Sequence, residues 1–180
     1  MTQRMNRSLT TRADSEQDAI ATALKGVLRF MPAPVGIVTG TDPDSGDPVG
    51  LAMSAIMPVA LEPCAMAVAI NRSGSSHDAI IRSGRFCINL LHPSTSDHLA
   101  PFAGPARRAE RFQLPGWQRR DGEWYIEDAP ASIFCRIAER LGYGTHDILV
   151  GEVTDVIASG ETEILGWCNG QMGTLAPLIT

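Results

Sequence analysis

From residue 19 onward the chain alternates short apolar segments with clusters of turn-forming residues. In DSEQDAIATALKGVLRFMP, Ile20, Leu24, Val27, Leu28 and Met31 recur at helical spacing. Ser15 followed by Asp18 is a weak cap signal and Pro32 closes the run, so one amphipathic helix is predicted after an N-terminal arm of residues 1–18. VGIVTGT and VGLAMSAIM flank DPDSGDP, a string of turn residues, and predict a hairpin. CAMAVAI reads as a strand that empties into INRSGSSHDAI, where Ser75 or Ser76 caps a short helix through Ile80 and Ile81, and GRFCINLL returns as a strand. A second short helix is predicted from Ser94 to Phe102. FAGPARRAERFQLPGW then carries prolines, glycines and charges without a period, a long loop of the kind that covers a site. ASIFCRIAERL is compatible with helix or strand. Ile133, Cys135 and Ile137 alternate with Phe134, Arg136 and Ala138, and with the turn-like GYGTH and the segment DILVGEVTDVI this favours a second hairpin.

These elements sum to five to seven strands joined mainly by hairpins, with two or three helices, and no internal repeat. The regular strand–helix alternation of a doubly wound sheet is missing, so the expected fold class is mainly β, a closed or partly closed antiparallel barrel in one domain over residues 19–180. The length of 180 residues suits one core. A net charge of -5 without basic runs argues against a nucleic-acid footprint. No apolar run approaches the ~20 residues of a membrane span, and the first 18 residues show no targeting pattern, so a soluble, cytoplasmic protein is expected. Cys64, Cys87, Cys135 and Cys168 lie far apart and read as reduced, buried fillers.

Standard chemical motifs are absent from the sequence. Neither nucleotide-binding glycine fingerprint occurs, nor does a zinc-protease pair or a nucleophile elbow. His77, His92, His98 and His146 have no metal-ligand spacing, and His92 and His98 read as loop and helix residues. Such a chain suits chemistry performed by a bound organic cofactor, or none. The cluster at 70–80 admits two readings, a plain turn with a helix cap or an anion site of hydroxyls, backbone N–H groups and a helix start.

The order of five segments, ALKGVLRFMPAPVGIVTG, GLAMSAIMPVALEPCAMAVAINRSGSSHDAIIRSGRFCINLL, FAGPARRAERF, GYGTHDILVGEV and NGQMGTL, resembles the flavin reductase family with the FMN-binding split-barrel fold, the small reductases of two-component monooxygenases. The resemblance runs from about Ala19 to Leu175 and implies an answer to the cluster. Ala52, Met53, Ser54 and Ala55 fall near the isoalloxazine and ribityl chain, and Asn71, Arg72, Ser73, Ser75 and Ser76 near the phosphate, with His77 within reach of it. Arg82 or Arg85 either adds charge or forms a solvated helix face. Phe112 falls where relatives close the site. His146 matches a family histidine on the nicotinamide side, placed to orient the nicotinamide or carry a proton. Relatives usually read Thr-Ala-Ser-Ser-Phe where this chain has Ala52-Met53-Ser54-Ala55-Ile56, which exchanges two hydroxyls for apolar groups.

The resemblance implies an NAD(P)H:flavin oxidoreductase that uses FMN or FAD, takes hydride from NADH or NADPH, works as a homodimer and passes reduced flavin to a partner monooxygenase. The alternative is a non-catalytic flavin-binding module for electron transfer or sensing.

Overall fold

The computed structural model describes residues 16–175; the arm up to residue 15 and the Ser15 cap lie outside the described residues. Helix α1 covers 16–28, so residues 16–18, expected in the arm, are already helical. Seven strands form the main sheet: β2 (Gly36–Thr41), β3 (Pro48–Met53), β4 (Ile56–Leu61), β5 (Cys64–Asn71), β6 (Arg85–Leu90), β9 (Ala131–Tyr143) and β10 (His146–Ala158). Five short strands add to them. They are β1 (Ala33–Pro34), the hairpin β7 (Trp117–Arg120) with β8 (Glu123–Ile126), and the hairpin β11 (Ile164–Cys168) with β12 (Gln171–Leu175). The expected five to seven strands correspond to the main sheet, because two- to five-residue strands carry too few alternations to show a period.

The main sheet is antiparallel throughout, in the order β3-β2-β6-β9-β10-β5-β4. Its two edge strands are consecutive in the chain. β3 runs into β4 through Ser54 and Ala55, and Ala55 O accepts the N–H of Ala69 on β5 at 3.2 Å. The sheet therefore curls until its edges meet at this corner, while no ladder joins β3 to β4 among the described residues. This is the partly closed antiparallel barrel that the strand pattern predicts, in the split-barrel form that the family resemblance implies.

β2 is buried on both faces. Val38 joins Val68, Ile70, Ile80, Phe86 and Leu149 inside the barrel, whereas Ile37 joins Val35, Leu91, Phe102, Ile126 and Leu165 outside it. Asn89 is fully buried between these layers. Its amide donates to Ile37 O at 3.1 Å, and its oxygen accepts from Ile126 N and Ser132 Oγ, both at 2.9 Å. A buried amide with its polar atoms satisfied ties β2, β8 and β9 together without a desolvation penalty.

Helix α2 (His77–Ser83) packs across the barrel end and stops at Gly84. The segment expected as a helix from Ser94 to Phe102 is instead two 3-10 turns, Pro93–His98 and Ala100–Phe102. Pro101 lacks the N–H that an α-helix needs and restricts Ala100 before it, so the bonds tighten to i−3, as in Phe102 N to Leu99 O at 2.9 Å. The cysteines also divide. Cys87 and Cys135 are buried, but Cys64 and Cys168 are exposed, because they open β5 after a turn and end β11 at a sheet margin. Burial pushes the Cys135 thiol up to about 12 and raises Cys87 as well, so both stay neutral.

Candidate functional site

β3 pairs with β2 on one side only. Segment 99–112 lies along its other flank, and Gly50 makes that approach possible. A Cβ at Gly50 would stand 2.8 Å from the Phe102 ring and 3.3 Å from the Phe112 ring. Those rings meet edge to face with centroids 5.2 Å apart, and Phe112 lies 4.6 Å from Trp117. Phe112 has φ 62°, in the left-handed region, a conformation that a bulky residue keeps only when packing holds it. Beside it, Arg111 donates from Nε to Pro101 O at 2.9 Å and from Nη1 to Gly50 O at 3.1 Å, with its guanidinium over the Phe102 ring.

Along this flank of β3, the groove, lie two separate clefts of unlike character. Near its N-terminal end is a cleft of about 250 Å³ walled by Gly50, Ser75, Ser76, Arg108, Arg111 and Phe112. Ser76 Oγ donates to Gly50 O at 2.8 Å, which anchors the serine turn to β3. Neither Arg108 nor Arg111 has an ion-pair partner among the described residues. Partial burial, and then the charge of Arg108, hold the Arg111 guanidinium below the ordinary arginine range. Two cations facing one cleft without a carboxylate favour an anionic ligand. Near the C-terminal end of β3 an apolar cleft of about 220 Å³ is lined by Ala52, Met53, Ser54, Leu99, Ala103 and Trp167. At about 3.3 Å per residue, Pro48 to Ser54 spans roughly 20 Å, room for an elongated ligand with one apolar and one anionic end.

Ala52, Met53 and Ser54 thus share the apolar cleft, and Ala55 lines an adjoining space of about 490 Å³ against Leu28 and Met31 near the end of α1. Ser75, Ser76 and Phe112 meet in the polar cleft. The other residues of the cluster lie elsewhere. The Asn71 side-chain oxygen accepts from both the N–H and the hydroxyl of Ser73 at 2.9 Å, closing a local turn. Arg72 and His77 bind Asp147 on β10. His146 is exposed at the start of β10, opposite Asn71, with Nδ1 2.9 Å from Thr145 Oγ1. Arg82 pairs with Asp42, Asp44 and Asp78, which staples α2 to the β2–β3 turn. Arg85 opens β6, where its charge acts on Glu123. His92 caps the first 3-10 turn through Ser94 N, and His98 lies 3.1 Å from Pro115 O.

Sequence reasoning passed over Arg108, Arg111, Arg140 and Asp147. The loop arginines were visible as RRAER in an aperiodic stretch. Asp147 was visible as an acid in the inward phase of a strand, since Asp147, Leu149 and Gly151 form its buried side. Its carboxyl is held far below the usual range by the His77 hydrogen bond first, then by Arg72 and Arg140.

The family model described as "Flavin reductase like domain" matches residues 28–176. The chain belongs to the flavin reductase-like family. An FMN reductase (NADH) RutF of Methylorubrum populi is 32% identical over 156 residues, covering 86% of this chain and 76% of that protein. The reductase component of an FADH(2)-dependent resorcinol hydroxylase from Rhizobium sp. is 29% identical over 164 residues, covering 89% and 90%. The structure of a homologue of nitrilotriacetate monooxygenase component B from Mycobacterium thermoresistibile superposes with a TM-score of 0.78 at 25% identity, over 89% of each chain. That of the NADH:FAD oxidoreductase SgcE6 from Streptomyces globisporus, in complex with NAD and FAD fragments, reaches 0.80 at 21% identity over 89% of this chain and 95% of that one, a likeness of fold. In this flavin reductase-like chain the split barrel and the groove along β3 are therefore the frame in which site residues are judged.

Proposed function

We propose that the chain is an NAD(P)H:flavin oxidoreductase that reduces FMN or FAD and supplies the reduced flavin to a partner monooxygenase in the cytoplasm. The observation that carries this reading is the two-part groove along β3, apolar at Ala52–Ser54 and basic with hydroxyls at Ser75, Ser76, Arg108 and Arg111. A flavin nucleotide has that polarity, a planar ring at one end and a phosphate at the other. When bound, it supplies the ring that accepts hydride from the reduced nicotinamide.

The chain's own groups hold and orient. Ala52, Met53, Ser54 and Ala55 flank the ring and ribityl chain and keep water from them. Ser75, Ser76 and Arg111 take the phosphate by charge-assisted hydrogen bonds. Phe112, braced by Phe102 and Trp117, forms the wall that confines the ligand. His146 meets the nicotinamide, either orienting it or carrying a proton. Support for the reading also comes from the relatives, which are named as an NADH-dependent FMN reductase and as the reductase component of a hydroxylase.

The same reading includes a homodimer. Ile20, Leu24 and Val27 form an apolar side of α1 that, with Met31 just beyond its end, the single chain leaves exposed, as it does Met57, Val59 and Leu61 on β4. Surface of this kind fits burial against a second copy.

The test is anaerobic oxidation of NADH and NADPH with FMN, FAD or riboflavin, followed at the flavin absorbance band. Bleaching with turnover supports the reductase. Flavin binding without nicotinamide oxidation would assign the chain to the non-catalytic flavin modules.

A further inference from the structure

Asp147 joins three parts of the barrel end. Its side chain is 1% exposed and meets three basic side chains. Arg72 Nε donates to Oδ1 at 2.8 Å, His77 Nε2 lies 2.7 Å from Oδ2, and Arg140 reaches Oδ2 from Nε at 2.9 Å and from Nη2 at 2.6 Å. Arg72 follows the end of β5, His77 opens α2 directly after the serine turn, and Arg140 lies on β9. The remaining bonds of Arg72 all go to one short turn. Its main-chain N–H donates to Thr145 O at 3.0 Å, Nη1 to Gly144 O at 3.3 Å and Nη2 to His146 O at 3.2 Å. Three successive carbonyls that lead into and include His146 are thus held by one residue, whose orientation is set by one buried carboxylate. Gly142, directly across the ladder from Asp147, leaves room for this. A Cβ there would collide with Arg72 Nη2.

We propose that Arg72 and Asp147 are positioning residues of the reductase, which fix the 144–146 turn and so the place of His146 relative to the serine turn. The inference rests on the reading that His146 meets the nicotinamide. It gives Arg72 a task different from phosphate binding, and one that the planar guanidinium is suited to. Its forked donors serve a carboxylate and two carbonyls at once, a geometry that a lysine ammonium of equal charge cannot reproduce. Arg72→Lys therefore separates orientation from charge.

The test uses the full chain in its assembled form. Wild type, Arg72→Lys, His146→Ala and the double variant are compared in nicotinamide oxidation with FMN, in FMN titration by fluorescence, and in deuterium exchange of the flavin-free protein over residues 143–147. Arg72→Lys is expected to lower kcat/KM for the nicotinamide about tenfold while the FMN dissociation constant moves by less than roughly twofold. Exchange at 143–147 should quicken while β2 and β6 stay protected. The double variant should be no slower than His146→Ala alone, because a residue acting through another adds nothing once its target is gone. Weaker FMN binding with unchanged nicotinamide kinetics would overturn the proposal and return Arg72 to the phosphate. Losses that multiply in the double variant would overturn it too, as would unchanged exchange at the turn, or a His146→Ala protein as fast as wild type. If wild type oxidises neither nicotinamide, the reductase reading itself fails, and exchange at 143–147 still decides whether Arg72 holds the turn. Gly142→Ala, which crowds Arg72 without altering any charge, should reproduce the kinetic signature of Arg72→Lys.

Discussion

Arg111 and Glu123 show how single side chains carry opposite electrostatic demands in this barrel. Arg111 directs its observed donors to carbonyls and has no counter-charge among the described residues, so a phosphate placed between it and Ser75 would gain a charged hydrogen bond. Arg111→Ala should weaken FMN binding by about 1.5 to 3 kcal/mol, seen in a fluorescence titration, and should leave riboflavin, which has no phosphate, bound as before. Equal losses for both ligands would remove Arg111 from the phosphate. Glu123 is buried, and its Oε2 has no hydrogen-bond partner among the described residues. Burial raises its carboxyl above the ordinary 4.5 although Arg85 and Arg119 pull the other way. Burial thus disfavours its ionised form. Its contribution is complete below the unfolded value and is lost as pH rises through the raised folded one. Glu123→Gln should therefore raise the unfolding free energy at pH 8 by on the order of 1 kcal/mol, read from denaturant midpoints, and do little at pH 4. Asp147 has the reverse sign. With its folded value depressed, its contribution is present above the unfolded carboxylate range near pH ~4 and fades as pH falls toward the folded value. Asp147→Asn should accordingly flatten the acid limb of the stability profile, read from denaturant midpoints.

Among the elements, β3 and the β9–β10 hairpin do most to make the site. β3 is an edge strand whose free flank is occupied by the 3-10 segment, and Gly50 is the point of closest approach. Gly50→Ala would push on the Phe102 and Phe112 rings and on Val38 O. It should cost about 1 to 3 kcal/mol in a denaturant titration and weaken flavin binding with it, since those rings wall the groove. A variant that loses stability but binds flavin normally would separate the wall from the site. The hairpin was the ambiguous part of the chain, because ASIFCRIAERL satisfies two periods imperfectly. Its neighbours resolved it, since β6 and β10 present ladders on both sides of β9 that a helix could not use. The helix expected at Ser94–Phe102 went the other way, where Pro101 overruled a local pattern that looked helical.

At the scale of the whole molecule, the apolar side of α1 is out of balance with the rest. Its hydrophobic residues recur at helical spacing, yet in the single chain they face solvent. Leu24→Lys combined with Val27→Lys should convert a dimer to the 19.3 kDa chain in light scattering, with the barrel still folded by circular dichroism. An unchanged mass would place the covering partner elsewhere. The hairpins were legible along the chain because each depends on a pattern within about ten residues, and the barrel class followed from their sum and from the order of the family's segments. Ala52, Met53 and Ser54 of the apolar cleft were singled out through the family resemblance, whereas Leu99, Ala103 and Trp167, far from them in sequence, were brought there only by folding. The partners of the charged side chains were not. Arg72, Arg82, Arg108 and Arg111 look alike as residues in polar segments, yet one reaches an acid 75 positions away and another a carbonyl 61 positions away. Which of them lines the polar cleft and which meets a buried carboxylate follows from strand order and register, and no local pattern carries that information. The periodicity of the chain therefore specified a mainly antiparallel barrel, and the family resemblance pointed to the strand beside the clefts. Folding decided which arginines line the polar cleft and which one turns to Asp147, because a charge pairs with whatever the sheet brings within about 3 Å of it.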